Sequence, residues 1–270
     1  MADFLDVIPC DAVARYVGDN AGIPAQHANI RHRMTLAWQF EKTHEGWIVA
    51  ASEQSAHLTT IGEALLARLE VTNAARERAL AETRQIVRFS ANAIRAVHRD
   101  DFDEAARLLA EARALHVGLG TELREQPNIY WSGYVQDAQK EFAEASIVLG
   151  VISGRGVPDP LALGVEAAVY LNGLGEAAGE LRRYVLDSLR RERVDVERAE
   201  MLLGTMDDIY SLLVTVDYPD AVTGGLRRTT DMVRGVLERT RGDLTVALQG
   251  RELRDALAHM QERLDRAGPE

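Results

Sequence analysis

The chain has 270 residues, a formal net charge of −11 and a hydrophobic fraction of 46%. This acidic balance argues against a uniformly basic nucleic-acid binder, although it permits a local basic surface. Cys10 is the only cysteine, so the chain can form neither an intrachain disulfide nor a thiolate metal cage. No apolar run reaches the roughly 18 residues that cross a bilayer, so we expect no membrane partner.

The first 57 residues differ in composition from the rest. They contain Trp38, Trp47 and the single cysteine, and TLAWQFE and WIVAASE around KTHEG predict a short hairpin. The acidic residues before the first apolar stretch are not those of a signal peptide, and we expect a cytoplasmic protein. We predict residues 1–57 to be an extension or small accessory module of unknown role, and residues 58–270 to be the main domain.

From about residue 58 the apolar residues recur at helical period. The predicted helices begin, in chain order, at Thr59 or Thr60, at Asp100 or Asp101, near 132, at Pro158 or Pro160, at Asp195 and near Gly225. We expect the fourth to run to about Arg193 and the sixth towards Ala267, with Gly250 as a candidate interruption. The fold class is therefore predicted to be all-α, an antiparallel bundle of about six long helices.

Two of these helices carry pairs of glutamates on apolar faces. Glu141 and Glu144 are spaced i,i+3, and Glu176 and Glu180 are spaced i,i+4. These spacings place both carboxylates of a pair on one helix face, about 4.5 and about 6 Å apart along the axis. A carboxylate on such a face must be exposed, neutralised or bound to a cation. If the helices pack side by side, the four glutamates form an oxygen-rich site for Mg²⁺ or Mn²⁺.

Two other interpretations of the glutamates come from the residues alone. The four can be solvent-facing side chains of ordinary amphipathic helices. A di-iron carboxylate bundle also uses glutamates on helices, but it needs Glu-x-x-His on two core helices. The helical part has only His98, His116 and His259, and none follows a glutamate by three residues. We therefore set the di-iron interpretation aside.

Arginine supplies nearly all of the positive charge, since Lys42 and Lys140 are the only lysines. Two groups of arginines are candidates for nucleic-acid binding, one along the first helix and one just after the second glutamate pair: Arg84, Arg88, Arg95 and Arg99, and Arg182 and Arg183. A groove lined by them would track a phosphate backbone with little sequence specificity. The alternative is that they are solvated helix faces paired with neighbouring acids.

The third to sixth helices resemble the translin family, which includes translin and translin-associated factor X. The resemblance runs through EFAEASIVLGVI, YLNGLGEAAGELRRYVLDSL, MLLGTMDDIYSLL and YPDAVTGGLRRTTDMVRGVLERTRGDLTVAL, in that order. With the first two helices it covers roughly 200 residues, and residues 1–57 have no counterpart in it. No single segment is decisive, but the ordered series of four is specific.

The resemblance implies a function for the glutamates. The factor X branch of the family carries E-x-x-E and D-x-x-x-E, which bind Mg²⁺ and support endoribonuclease activity. Glu141, Glu144 and Glu180 match that pattern and are expected to hold the ion, whereas Glu176 stands where the family often has Asp. We expect Glu176 to complete the shell or to act as general base. The longer side chain can move the metal or water by about 1 Å, enough to affect the rate.

The resemblance also implies partners and an assembly. The chain is expected to bind single-stranded RNA, and ssDNA as a second candidate. The family forms octameric shells, so a chain that works alone is expected to be a homo-oligomer. Two alternatives stay open at this point: a non-catalytic RNA or ssDNA binder, and an oligomeric scaffold without nucleic acid.

Overall fold

The computed structural model describes residues 45–190 and 195–267, and within these ranges it contains no strand. Its helices, numbered in chain order, are α1 (Glu45–Val97), α2 (Phe102–Glu122), α3 (Pro127–Tyr130), α4 (Gly133–Ile152), α5 (Pro160–Leu163), α6 (Ala167–Leu189), α7 (Val196–Val214), α8 (Asp220–Thr223) and α9 (Leu226–Ala267), with a 3₁₀ turn at Leu123–Glu125. Six of these are long, and the prediction of an all-α bundle is confirmed.

Two predicted helix starts are also confirmed. The Asp101 carboxylate accepts a hydrogen bond from the Glu104 amide at 3.3 Å and begins α2. The Asp195 carboxylate accepts one from the Arg198 amide at 3.0 Å and begins α7. Each side chain satisfies an amide that has no carbonyl partner in the first helical turn.

The start of the first helix was predicted wrongly. It begins at Glu45, so the segment WIVAASE is helical rather than a hairpin strand; residues 35–44 of that predicted hairpin lie outside the described residues. Thr59 and Thr60 are inside the helix, where their hydroxyls donate to the carbonyls of Ser55 and Ala56. A threonine can make this i−4 bond in mid-helix as readily as it caps a helix.

The predicted fourth helix is in fact two helices. The short α5 is followed directly by Gly164, which ends the helix. The φ of Gly164 is +73°, a left-handed conformation that glycine adopts without strain. Helix α6 then begins at Ala167. The expected end near Arg193 falls in residues 191–194, outside the described ranges. Gly250 does not interrupt α9, which is continuous to Ala267.

The chain divides into two units, Met1–Leu65 and Leu66–Glu270. The predicted boundary at 57/58 lies inside α1, as does the division at 65/66. No helix in the described ranges is long and apolar enough to cross a membrane.

Helix α6 is the centre of the second unit. It packs against α4, α7 and α9, and α2 covers another face of α4. The interior is filled by apolar side chains such as Phe142, Leu181 and Met206, all fully buried. Burial of this surface is the main stabilising term, and it fixes α4 and α6 side by side.

Candidate functional site

The close approach of α4 and α6 depends on Gly173. A Cβ atom at this position would lie 3.0 Å from the Lys140 carbonyl oxygen and 3.2 Å from the Glu144 backbone nitrogen. Any side chain here would push the two helices apart. The glycine therefore lets the glutamates of α4 and α6 face each other across a short distance.

Three of the four predicted glutamates converge at this contact. Glu141, Glu144 and Glu176 each offer a carboxylate oxygen, and these oxygens all lie within 4.8 Å of one another. Oxygen donors at this separation fit a hard divalent cation such as Mg²⁺ or Mn²⁺, which binds carboxylates at about 2.0 to 2.6 Å. The donor set contains no sulfur or nitrogen, which disfavours the softer transition metals. We call these three residues the carboxylate triad.

Glu144 is the most deeply placed member of the triad. Only 8% of the residue is exposed. Burial, together with the negative charges of Glu141, Glu176 and Glu180, raises the pKa of Glu144 to about 8. Burial also raises the pKa of Glu141, and the adjacent Lys140 opposes that effect. Glu144 therefore still holds its proton at neutral pH in the metal-free protein.

Lys140 is the cation closest to the triad. Its Nζ donates to both carboxylate oxygens of Glu176, at 2.6 and 2.7 Å, and lies 3.7 Å from Glu141 Oε1. Burial acts to lower the pKa of Lys140, but the hydrogen bond to Glu176 and the nearby carboxylates raise it overall. Lys140 is therefore a charged partner for two of the three carboxylates.

Glu180, the fourth predicted residue, has partners of its own. Its Oε2 lies 2.5 Å from Nε2 of His98, whose side chain is almost fully buried, and 3.7 Å from Nη1 of the exposed Arg183. The hydrogen bond to His98 lowers the pKa of Glu180, against the effect of burial. The predicted assignment of Glu180 as a metal ligand and of Glu176 as a general base stays a prediction.

The predicted nucleic-acid-binding arginines fall in two places. Arg84, Arg88 and Arg95 are exposed on α1, Arg99 is exposed in the turn that follows it, and no carboxylate in the described ranges lies within ion-pair distance of the four. The spacing of the three on α1 puts them on one helix face. Arg182 instead is bound within the fold, since it donates to Thr240 at 3.1 Å and to Asp243 at 2.7 Å.

Some of these exposed arginines lie near Glu180. His98 directly precedes Arg99 and follows Arg95 by three residues, and His98 itself contacts Glu180. Arg183 contacts Glu180 from the other side, along α6. Arg95, Arg99 and Arg183 therefore lie near one end of the acidic site.

Two of these neighbours were not identified as site residues from the sequence. His98 was counted only in the search for a di-iron motif, and Lys140 only as one of two lysines. Their roles depend on contacts between residues 36 and 82 positions apart, which no local spacing reveals. The rarity of lysine was the one available signal for Lys140.

Known proteins resemble this chain in sequence and in fold. The uncharacterized protein MJ0175 of Methanocaldococcus jannaschii is 33% identical over 188 residues, which are 69% of this chain and 82% of that protein. The structure of AfC3PO in complex with duplex RNA matches with 36% identity and a TM-score of 0.65, over 70% of this chain and 97% of the other. No protein-family model matches the chain.

AfC3PO is a translin-family protein. This chain belongs to the translin family. The structure of apo-NeC3PO, at 21% identity and a TM-score of 0.63, covers 68% of this chain and 96% of its own length and agrees in fold. The resemblance inferred from the four ordered segments is thereby confirmed, as is the translin-like fold.

Proposed function

We propose that this translin-family protein binds RNA and cleaves single-stranded RNA as an endoribonuclease that depends on Mg²⁺ or Mn²⁺. The observation that carries the proposal is the carboxylate triad between α4 and α6. Binding of RNA is supported by AfC3PO, which is 36% identical and whose structure has been solved in complex with duplex RNA.

The triad is the proposed cation site, and Glu180 completes the set of four catalytic carboxylates. A divalent cation held there would offset negative charge on a phosphoryl group and activate water for attack. Glu144 is the buried carboxylate of the triad, whereas the side chains of Glu141 and Glu176 are partly exposed to solvent. The hydrogen bond from His98 fixes the position of the Glu180 carboxylate.

The exposed arginines supply a path for the phosphate backbone. Arg95 on α1, Arg99 in the turn after it and Arg183 on α6 flank the end of the site at Glu180. Arginine binds phosphate oxygens with a planar, two-pronged donor geometry, which suits this role. Because such contacts release counterions, RNA binding should weaken steeply as salt is raised.

The active form is proposed to be a homo-oligomer, with an octamer as the family expectation. The C-terminal half of α9 carries an exposed apolar row on one face: Val246, Leu253, Leu257 and Met260. Each of these residues is more than half exposed. A row of this length is unusual on a monomer and favours self-association. Sedimentation of the full chain measures the number of copies.

The direct test is cleavage of an end-labelled single-stranded RNA in Mg²⁺ and in EDTA. We expect wild-type protein to cut only with the metal, and Glu144→Gln to lose at least about a hundredfold in rate while it still binds RNA. Glu111→Gln, an exposed glutamate on α2, is the matched control and should cut at the wild-type rate.

Other outcomes would decide against parts of the proposal. Cleavage that survives in Glu144→Gln or in EDTA would show that the triad takes no part in the reaction. Tight binding of RNA or ssDNA without cleavage would make the protein a non-catalytic binder. That second candidate is favoured by one feature, the presence of Glu176 where the family often has Asp.

A further inference from the structure

Lys140 binds carboxylate oxygens that a divalent cation in the triad would also bind. Its ammonium donates to both carboxylate oxygens of Glu176 and lies 3.7 Å from Glu141. It therefore contacts two of the three residues whose oxygens converge in the triad. Among the described residues, its ion-pair partners are these two glutamates alone.

A cation bound to the triad could not coexist with this arrangement. It would sit about 2.0 to 2.6 Å from the same oxygens, which places it only a few ångströms from the ammonium. Like charges at that separation repel strongly in a partly buried site. The Glu176 oxygens would also have to serve both the lysine and the metal.

A lysine side chain is well suited to bind Glu176 reversibly. Its charge is a single point on a flexible four-carbon stem, whereas an arginine would hold both oxygens with a rigid fork. The Lys140 side chain is 21% exposed, so its head can leave Glu176 and reach solvent without unfolding α4. Arginine is far more common than lysine in this chain, yet the residue at this position is a lysine.

We propose that Lys140 is an intramolecular competitor of the divalent cation: it holds Glu176 in the metal-free protein and is displaced when the cation binds the triad. This inference rests on the proposed metal site. Lys140 then sets the concentration of divalent cation at which the site fills. It also keeps the carboxylates paired until the metal arrives.

The first test compares Mn²⁺ affinities of full-length variants by calorimetric titration. We expect Lys140→Met to bind Mn²⁺ about tenfold more tightly than wild type, because no ammonium has to be displaced. Arg107→Gln, which loses an equal charge from an exposed ion pair on α2, should bind like wild type. In a Glu176→Gln background the gain from Lys140→Met should largely vanish.

The second test needs no variant, so it stands even if Lys140→Met does not fold. Wild-type protein is acylated with an amine-reactive ester with and without Mg²⁺, and peptide mass spectrometry compares Lys140 with Lys42, the only other lysine. We expect Mg²⁺ to increase acylation of Lys140 several-fold relative to Lys42 in the same sample.

The outcomes separate this inference from the function on which it rests. If wild type binds Mn²⁺ but Lys140→Met binds no more tightly, and Mg²⁺ does not raise acylation of Lys140, the competition is refuted and the metal site stands. If neither protein binds Mn²⁺ at millimolar concentration, the metal site and the competition are both refuted.

Discussion

Helix α6 makes two polar contacts of opposite character with its neighbours. Towards α8 and α9, the Asn172 amide donates to the carbonyls of Ala168 and Thr223 at 2.8 Å and accepts from the Thr229 hydroxyl at 2.7 Å. Between α4 and α6, three carboxylates converge; Glu141 and Glu176 contact the Lys140 ammonium, and burial raises the pKa of the third, Glu144, to about 8.

One side of α6 thus stabilises the fold, whereas the other side forms part of the proposed functional site. The polar groups facing α8 and α9 are satisfied inside the chain, and satisfied buried groups stabilise a fold. Between α4 and α6, by contrast, the buried Glu144 has no ion-pair partner among the described residues, so loss of its proton opposes folding unless a cation arrives. Substitution of Asn172 should therefore lower the free energy of unfolding, and substitution of Glu144 should raise it in metal-free protein at high pH.

The largest effect is expected at Glu144. Because its folded pKa is raised, the folded state keeps a proton that the unfolded chain loses, and stability falls as pH rises from about 4.5 to about 8. Glu144→Gln removes this dependence. In EDTA we expect the variant to gain about 2 to 4 kcal/mol over wild type at pH 9 and little at pH 5.

Denaturant unfolding at the two pH values measures this gain. Glu111→Gln, exposed on α2, controls for the loss of a charge and should show no such pH-dependent gain. A Glu144→Gln protein that is less stable than wild type at pH 9 would mean that the Glu144 charge is already compensated inside the fold.

Asn172→Ala is expected to act in the opposite direction. It leaves the Thr223 carbonyl and the Thr229 hydroxyl without their partner, which should cost about 2 to 3 kcal/mol. The loss should be the same at pH 5 and pH 9 and in EDTA or Mn²⁺, because no titrating group is involved. A loss that varies with metal would show that the two sides of α6 are coupled.

The smallest effects are expected at two glycines of α6, Gly175 and Gly179. A Cβ at Gly175 would lie 2.3 Å from Thr229 Cγ2, so Gly175→Ala should cost about 1 to 2 kcal/mol by overpacking. A Cβ at Gly179 meets no atom within 4 Å, so Gly179→Ala should gain about 0.5 to 1 kcal/mol from helix propensity. Thermal unfolding of both variants tests this, and equal effects would contradict the described packing.

The sequence predicted the bundle because its apolar residues repeat at helical period, and it placed Asp101 and Asp195 at helix starts because capping is local. The helical spacing also singled out the four glutamates, of which Glu141, Glu144 and Glu176 converge in the structure. It missed the early start of α1 and the break at Gly164, since threonine and glycine each suit more than one position in a helix. The contacts of Lys140 and His98 could not be predicted, because packing between helices creates them.

One measurement tests the central claim most directly: the shift in unfolding temperature when Mn²⁺ is added in excess to wild type, Glu144→Gln and Asn172→Ala. A ligand at 100 times its dissociation constant stabilises the folded state by about 2.7 kcal/mol. We predict that Mn²⁺ raises the unfolding temperature of wild type and of Asn172→Ala by similar amounts and leaves Glu144→Gln unchanged. An equal shift in all three proteins, or no shift in wild type, would contradict a cation site at the triad.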